Sequence, residues 1–381
     1  MKVYKTAFKF CTFFIVSVIL LTSCSKAANN TNNSNINNTT KNSSENKVNT
    51  NNITTSDNNA SNNISNKYTI KNYYPFKKDL RLSYEGTGNE FASKEVYVDF
   101  IKSNKIQLRN INAGTTLGQV LQYENGQLTL VYSRGEFYYR DDLTSLQSNT
   151  KEILLKEPLQ KGTSWSLPDG RKRSITSTDA SVDTPSGKYK ALEVTTSGNN
   201  STTKDYYALN TGLVKTVFTS EGSTVTISLK GIINDSAVTQ TIKFYYPKMT
   251  DTDVAIMSKK STINLKTNDD IKNIFQTNFR KTSITDAKPL MSNNTKINKL
   301  YLNDSEKVVY VDFSKEFITE MNAGSSMESG ILTSVVNTLG DYFNVNEVRL
   351  TVDGKEYASG HIAMKKGENF KVNYNEVTDV K

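Results

Sequence analysis

Cysteine, histidine and tryptophan are almost missing from this chain of 381 residues, which has two, one and one of them. Cys11 and Cys24 both fall in the first 24 residues, so nothing downstream can build a disulfide framework or a cysteine zinc site. His361 stands alone, which excludes multi-histidine metal centres and most imidazole catalysis. No apolar run reaches the roughly 20 residues of a membrane-spanning helix, so a polytopic membrane protein is excluded. Aromatic residues, by contrast, are plentiful. Twenty Tyr and sixteen Phe are enough for real cores, and the length allows about two domains.

The amino terminus reads as an address. Lys2, Lys5 and Lys9 precede a short apolar run, Phe10 to Leu21, too short to span a bilayer comfortably. The run ends in Leu21-Thr22-Ser23-Cys24, which resembles the bacterial lipobox. In that motif a thiol is needed as the nucleophile for lipid transfer, and small side chains admit the signal peptidase. The expectation is a signal peptide at 1–23 and a diacylated Cys24. Two acyl chains such as palmitate would then hold the chain in the outer leaflet of the cytoplasmic membrane, on its extracytoplasmic face.

Residues 24–66 follow as a tether. Seventeen Asn and thirteen Ser or Thr fill 25–66, with no aromatic residue among them. Such a stretch cannot bury enough apolar surface to offset its conformational entropy, and as a coil it reaches about 35 Å. Removing residues 1–23 takes away three Lys and lowers the net charge from +9 to +6. Arg171-Lys172-Arg173, the one basic cluster, follows Asp169-Gly170 and reads as a solvated turn. Nucleic acid is not expected as a partner: no recognition motif is present.

Residues 67–235 read as an antiparallel all-β domain, a sandwich or half-barrel. Short alternating runs such as Val96-Tyr97-Val98-Asp99-Phe100 and Leu128-Thr129-Leu130-Val131-Tyr132 are separated by turn signals. Glu124-Asn125-Gly126, Pro168-Asp169-Gly170 and Asn210-Thr211-Gly212 supply residues that tolerate positive φ. Tyr73, Tyr74, Tyr84, Tyr97, Phe137, Tyr138, Tyr139, Trp165, Tyr206 and Tyr207 are dense here. Paired aromatics of this kind fill cores, with Trp165 as an anchor; a row of them at the surface would instead stack on sugars.

From 238 to 377 the texture becomes α+β. Thr241 to Pro247 reads as a strand, and Asp269-Asp270 opens a helix whose apolar face is Ile271, Ile274, Phe275 and Phe279. Two strands joined at Asn303-Asp304-Ser305 follow. Ser325 with Glu328 spells a capping box before a second helix with the stripe Ile331, Leu332, Val335, Val336 and Leu339. Glu347 to Val352 reads as a strand closed by Asp353-Gly354.

Five segments in this region carry a resemblance. They are Val309-Tyr310-Val311-Asp312-Phe313-Ser314-Lys315-Glu316-Phe317, Asn322-Ala323-Gly324-Ser325-Ser326, Val335-Val336-Asn337-Thr338-Leu339, Val348-Arg349-Leu350-Thr351-Val352-Asp353-Gly354 and Gly360-His361-Ile362. In order and spacing they resemble the GerMN domain, the sporulation and spore-germination family of envelope lipoproteins. The resemblance covers the C-terminal third, and it implies a small α+β fold that docks neighbours at the cell surface. It transfers no catalytic residue. Val-Tyr-Val-Asp-Phe occurs at both 96–100 and 309–313, and is read as a chance likeness of strands, because the helix after Gly324 has no counterpart after Thr116.

The function expected from the sequence is a membrane-anchored, non-catalytic interaction or scaffold module in sporulation, germination or envelope assembly, with envelope proteins as partners. The alternative is a protein that binds peptidoglycan or another wall polymer through the aromatic β domain. A wall hydrolase is the weakest reading. His361 has no Gly-x-Ser-x-Gly elbow to serve and no carboxylates pair by spacing, so no catalytic, cofactor or metal residue is assigned.

Overall fold

A computed structural model describes residues 68–198 and 200–380. The lipobox residues Leu21, Thr22, Ser23 and Cys24, and the whole of the tether at 24–66, lie outside the described residues. Twelve antiparallel strands come first. They are β1 (Arg81–Thr87), β2 (Lys94–Lys102), β3 (Lys105–Asn112), β4 (Thr116–Glu124), β5 (Gln127–Arg134) and β6 (Glu152–Lys156). After these come β7 (Ser164–Ser166), β8 (Lys172–Thr184), β9 (Gly187–Gly198), β10 (Ser201–Ala208), β11 (Gly212–Ser220) and β12 (Ser223–Ile233).

Their order in the sheet is β6-β5-β4-β3-β2-β1-β12-β11-β10-β9-β8-β7, so β6 and β7 are the two edges. Register shifts at Ser83/Tyr84, Val98/Phe100 and Val120/Leu121 bend the strands. The sheet curls until its edges meet, and side chains fasten them. Trp165 Nε1 donates to Ile153 O at 3.0 Å, and Arg173 donates to the same oxygen at 2.7 Å and to Glu152 Oε1 at 2.7 Å. Of the two architectures expected, the structure is the curled one. Arg173 is therefore no solvated turn residue: it is 5% exposed inside the seam, because a guanidinium reaches three acceptors there.

One face of each strand lines the interior. Val96, Val98, Ile106, Leu108, Leu128, Leu192, Val194, Val214 and Leu229 meet there. A short helix, α1 (Ile70–Tyr73), closes one end with Ile70 and Tyr73, and Glu157 accepts a hydrogen bond from the Ile70 amide at 2.9 Å. Alternation of apolar and polar residues made these strands readable; the single turn of α1 gave no periodic signal.

Two further sheets follow. β13 (Val238–Met249) and β14 (Val254–Leu265) form a long hairpin, with β20 (Val377–Val380) parallel to β14. β15 (Ile297–Asn303) and β16 (Val308–Phe313) form a second hairpin, and β16 runs parallel to β17 (Glu347–Val352). The short strands β18 (Lys355–Glu356) and β19 (Phe370–Lys371) pair with β17. α2 (Ile271–Phe279) starts at Asp270, whose carboxylate accepts from the Lys272 amide as expected of a side-chain cap. α3 (Glu316–Thr319) is a single turn, and α4 (Ser325–Phe343) makes the crossover from β16 to β17.

α4 lies between the two sheets and is buried almost all round, Gly330 and Gly340 included. A Cβ at Gly330 would stand 2.7 Å from Val254 Cγ1, so glycine is what lets the β14 side approach. No helix among the described residues is long and apolar enough to cross a membrane. The core around α4 also takes in Val120, Phe137, Tyr139 and Leu143 from the outer wall of the curled sheet. One hydrophobic cluster thus joins both parts of the chain.

Candidate functional site

The single histidine sits on a buried carboxylate. Glu328, in the first turn of α4, is 3% exposed and accepts from Tyr357 Oη at 2.7 Å, from Ser359 Oγ, and pairs with His361 Nδ1 at 2.6 Å. The expected capping box is therefore absent. Gly324 is the N-cap residue with no side-chain cap, and Glu328 turns inward because three donors from the 357–361 loop outcompete one backbone amide. Burial raises the Glu328 pKa; the hydrogen bonds from Ser359, His361 and Tyr357 outweigh it and hold the carboxyl below its ordinary value. Burial, and then Glu328, push the Tyr357 hydroxyl up.

This arrangement holds an acid and a base but differs from an acyl-transfer triad. There the serine bonds to the imidazole and the imidazole to the acid. Here Ser359 Oγ donates to the acid itself and accepts from the His361 and Ile362 amides. The imidazole, 45% exposed, has its Nδ1 committed to Glu328. The cluster ties the loop to the start of α4. Among the described residues no group of three or more His, Cys, Asp or Glu converges to hold a metal.

A second constellation lies where the curled sheet meets the C-terminal region. Asp99 on β2 is fully buried between Arg109 Nη2 at 2.9 Å and Arg140 Nη1 at 3.0 Å. The two guanidiniums spend their other donors on backbone: Arg109 on Phe137 O and Tyr139 O, Arg140 on Asp99 O, Lys266 O and Asp269 O. Tyr342 Oη accepts from the Arg140 amide and donates to Gln240 Oε1, each at 2.8 Å. Thr267 and Asp79 exchange hydrogen bonds at 2.7 and 2.8 Å. Every charge here is neutralised or hydrogen-bonded, which is the geometry of a fixed joint. Beside it Asp141 faces Arg134; burial pushes its carboxyl up to about 6, with Arg134 opposing.

The aromatics of the curled sheet are mostly core. Tyr73, Tyr84, Phe137, Tyr139, Trp165 and Tyr207 are buried, while Tyr138 is 56% exposed. The exposed ladder is elsewhere, on the open face of the β15–β17 sheet. Tyr301 and Tyr310 stack at 5.1 Å and 8°, and the Arg349 guanidinium lies 5.6 Å from the Tyr310 ring.

The Germane model, described as sporulation and spore germination, matches residues 243–358. Residues 243–358 are thus similar to the Germane family.

The match runs from within β13 through α4 to Ala358, and so contains Glu328 and the Tyr301–Tyr310 ladder, with His361 just beyond. Among solved structures, the tandem GerMN domains of the sporulation protein GerM from Bacillus subtilis are 20% identical with a TM-score of 0.28. That match covers 38% of this chain and 49% of the other, so this chain spans about half the length of the tandem protein. The first GerMN domain alone is 16% identical, with a TM-score of 0.25 over 36% of this chain and 98% of that one. A chain described as a lipoprotein from Clostridium perfringens is 17% identical, with a TM-score of 0.23 over 36% and 88%. Comparison with curated proteins returns no match.

The pairings that organise both constellations were invisible to motif reading. Glu328 and His361 are 33 residues apart, and Asp99 and Arg140 are 41. Neither spacing is a local signal.

Proposed function

We propose that this chain is an extracytoplasmic lipoprotein, anchored through Cys24, whose folded part is a non-catalytic docking scaffold in sporulation, germination or envelope assembly. The observation that carries the reading is the match of residues 243–358 to the Germane family. Two others support it. The joint around Asp99 and the shared core give a rigid body of the kind a scaffold needs. Glu328 and His361 spend their chemistry on fixing a loop, and among the described residues no nucleophile is hydrogen-bonded to the imidazole.

A second reading, binding of wall polymer, is favoured by the Tyr301–Tyr310–Arg349 ladder, whose flat rings suit sugar stacking. One experiment separates the two. The full chain, labelled with palmitate and crosslinked in membranes, is recovered beside Cys24→Ala and Tyr301→Ala variants. Label lost in Cys24→Ala, with the same protein partners captured by wild type and Tyr301→Ala, is the expected result. Label unaffected by Cys24→Ala, or no protein captured at native levels, overturns it. Co-sedimentation with purified peptidoglycan that Tyr301→Ala abolishes moves the assignment to the second reading.

A further inference from the structure

The two ends of the curled sheet differ in charge. Its antiparallel order puts the links β2–β3, β4–β5, β6–β7, β8–β9 and β10–β11 at one end, together with α1, and the remaining links at the other. Backbone hydrogen bonds stitch the first set into one surface. Asn210 N donates to Asn72 O at 2.7 Å, Tyr123 N to Asn104 O at 2.8 Å, Glu157 N to Gly126 O at 2.8 Å and Ser186 N to Leu229 O at 3.1 Å. Counted to three residues beyond each link, the α1 end carries nine basic residues against five acids, and the opposite end seven against nine. The fold therefore gathers on one surface lysines that the sequence scatters from 71 to 188.

Those lysines face solvent and their acids are engaged elsewhere. Lys71, Lys77, Lys78, Lys161 and Lys188 are all exposed. Glu157 accepts from the Ile70 amide at 2.9 Å, Asp79 from the Thr267 amide at 2.8 Å and Glu124 from Gln122 at 2.9 Å, while Asp235 pairs with Lys266 at 2.6 Å. The fifth acid, Asp183, lies 3.7 Å from Lys188. Apolar surface joins the charge: Ile232 and Ile233, the last residues of β12 at this same end, are 42% and 47% exposed.

Two features name the partner. Exposed ammonium groups on one end act together on an anionic surface that comes within a Debye length, and branched apolar side chains beside them enter a headgroup layer. The chain also joins its fold here. Tyr68 leads into α1 44 residues after Cys24, so an acyl group on Cys24 is connected to this end of the sheet. The C-terminal region packs on the outer wall of the sheet, through Val120, Phe137, Tyr139 and Leu143, and leaves these lysines uncovered.

We propose that the α1 end of the curled sheet is the face this protein lays against an anionic phospholipid surface. This deepens the lipoprotein reading, and its place in the cell rests on that reading.

The test is flotation with lipid vesicles. The chain from residue 24, carrying Cys24→Ser so that no acyl group is attached, keeps every described residue. Binding is expected to vesicles of phosphatidylglycerol and phosphatidylcholine in equal parts, not to phosphatidylcholine alone, and to be lost at about 0.5 M salt. Lys78→Gln, Lys161→Gln and Lys188→Gln together should weaken it roughly tenfold or more. The same charge change in the C-terminal region, at the exposed Lys355, Lys365 and Lys366, should leave it unaltered. Equal loss in the two triple variants overturns the proposal, as does binding to neutral vesicles as strong as to anionic ones, or none at low salt. Capture by purified anionic wall polymer but not by vesicles overturns it too. Palmitate labelling judges the anchor separately, because the vesicles are offered a chain that has none.

Discussion

Val-Tyr-Val-Asp-Phe is written twice in this chain, and the two copies end in different worlds. In β16 the alternation is regular: Val309, Val311 and Phe313 face the core, while Tyr310 and Asp312 face the open side. Asp312 accepts from Thr351 Oγ1 at 2.6 Å, from the Gly354 amide at 2.7 Å and from Asn298 at 3.0 Å. In β2 a register shift between Val98 and Phe100 breaks the alternation, so that Val98, Asp99 and Phe100 are all buried. Asp99 then needs cations, and Arg109 and Arg140 supply them. The pentapeptide makes a strand in both places; what its aspartate becomes is decided by the neighbours.

The sharpest way to test that contrast is to neutralise each aspartate in turn. Asp99→Asn leaves two guanidiniums buried without their anion and should cost about 3–5 kcal/mol of unfolding free energy. A denaturant midpoint series measures it, and a loss below about 1 kcal/mol would mean that the backbone carbonyls alone hold the arginines.

Asp141, beside the same joint, should respond in the opposite direction. Its carboxyl titrates in the folded chain at about 6, above its ordinary 3.8, so the folded chain binds the extra proton. That contribution is complete below about pH 4 and lost as pH rises through 6. Asp141→Asn should therefore raise stability at pH 7, on the order of 1–2 kcal/mol, and change little at pH 4. Thermal unfolding at the two pH values checks it, and equal shifts at both would refute the protonation account.

The smallest effect belongs to the exposed-side copy. Asp312→Asn should cost about 1 kcal/mol near neutrality. Burial raises the Asp312 pKa, but the hydrogen bonds from Thr351, Asn298 and Gly354 outweigh it and hold the carboxyl low. Its contribution is thus present above about pH 4 and fades as pH falls through the lower folded value. A stability profile that keeps the same acid limb in Asp312→Asn would contradict this.

How much of this was legible beforehand depended on range. Strands with alternating residues, the turn at Asp353-Gly354, the Asp270 cap and the stripe Ile331, Leu332, Val335, Val336 and Leu339 were readable, because each is set by residues a few positions apart. Glu328 was misread for the opposite reason. Four residues of local sequence say capping box, and Tyr357, Ser359 and His361, about 30 positions on, say otherwise. Arg173 looked like a turn because its acceptors on Glu152 and Ile153 are some 20 positions earlier.

The fastening of β6 to β7 and β8 has a practical corollary. The chain has a single tryptophan, and its indole nitrogen is one of the groups holding the seam. Intrinsic fluorescence of this protein is therefore a gauge placed by the fold itself: its emission colour reads whether the ring is shut, without any label.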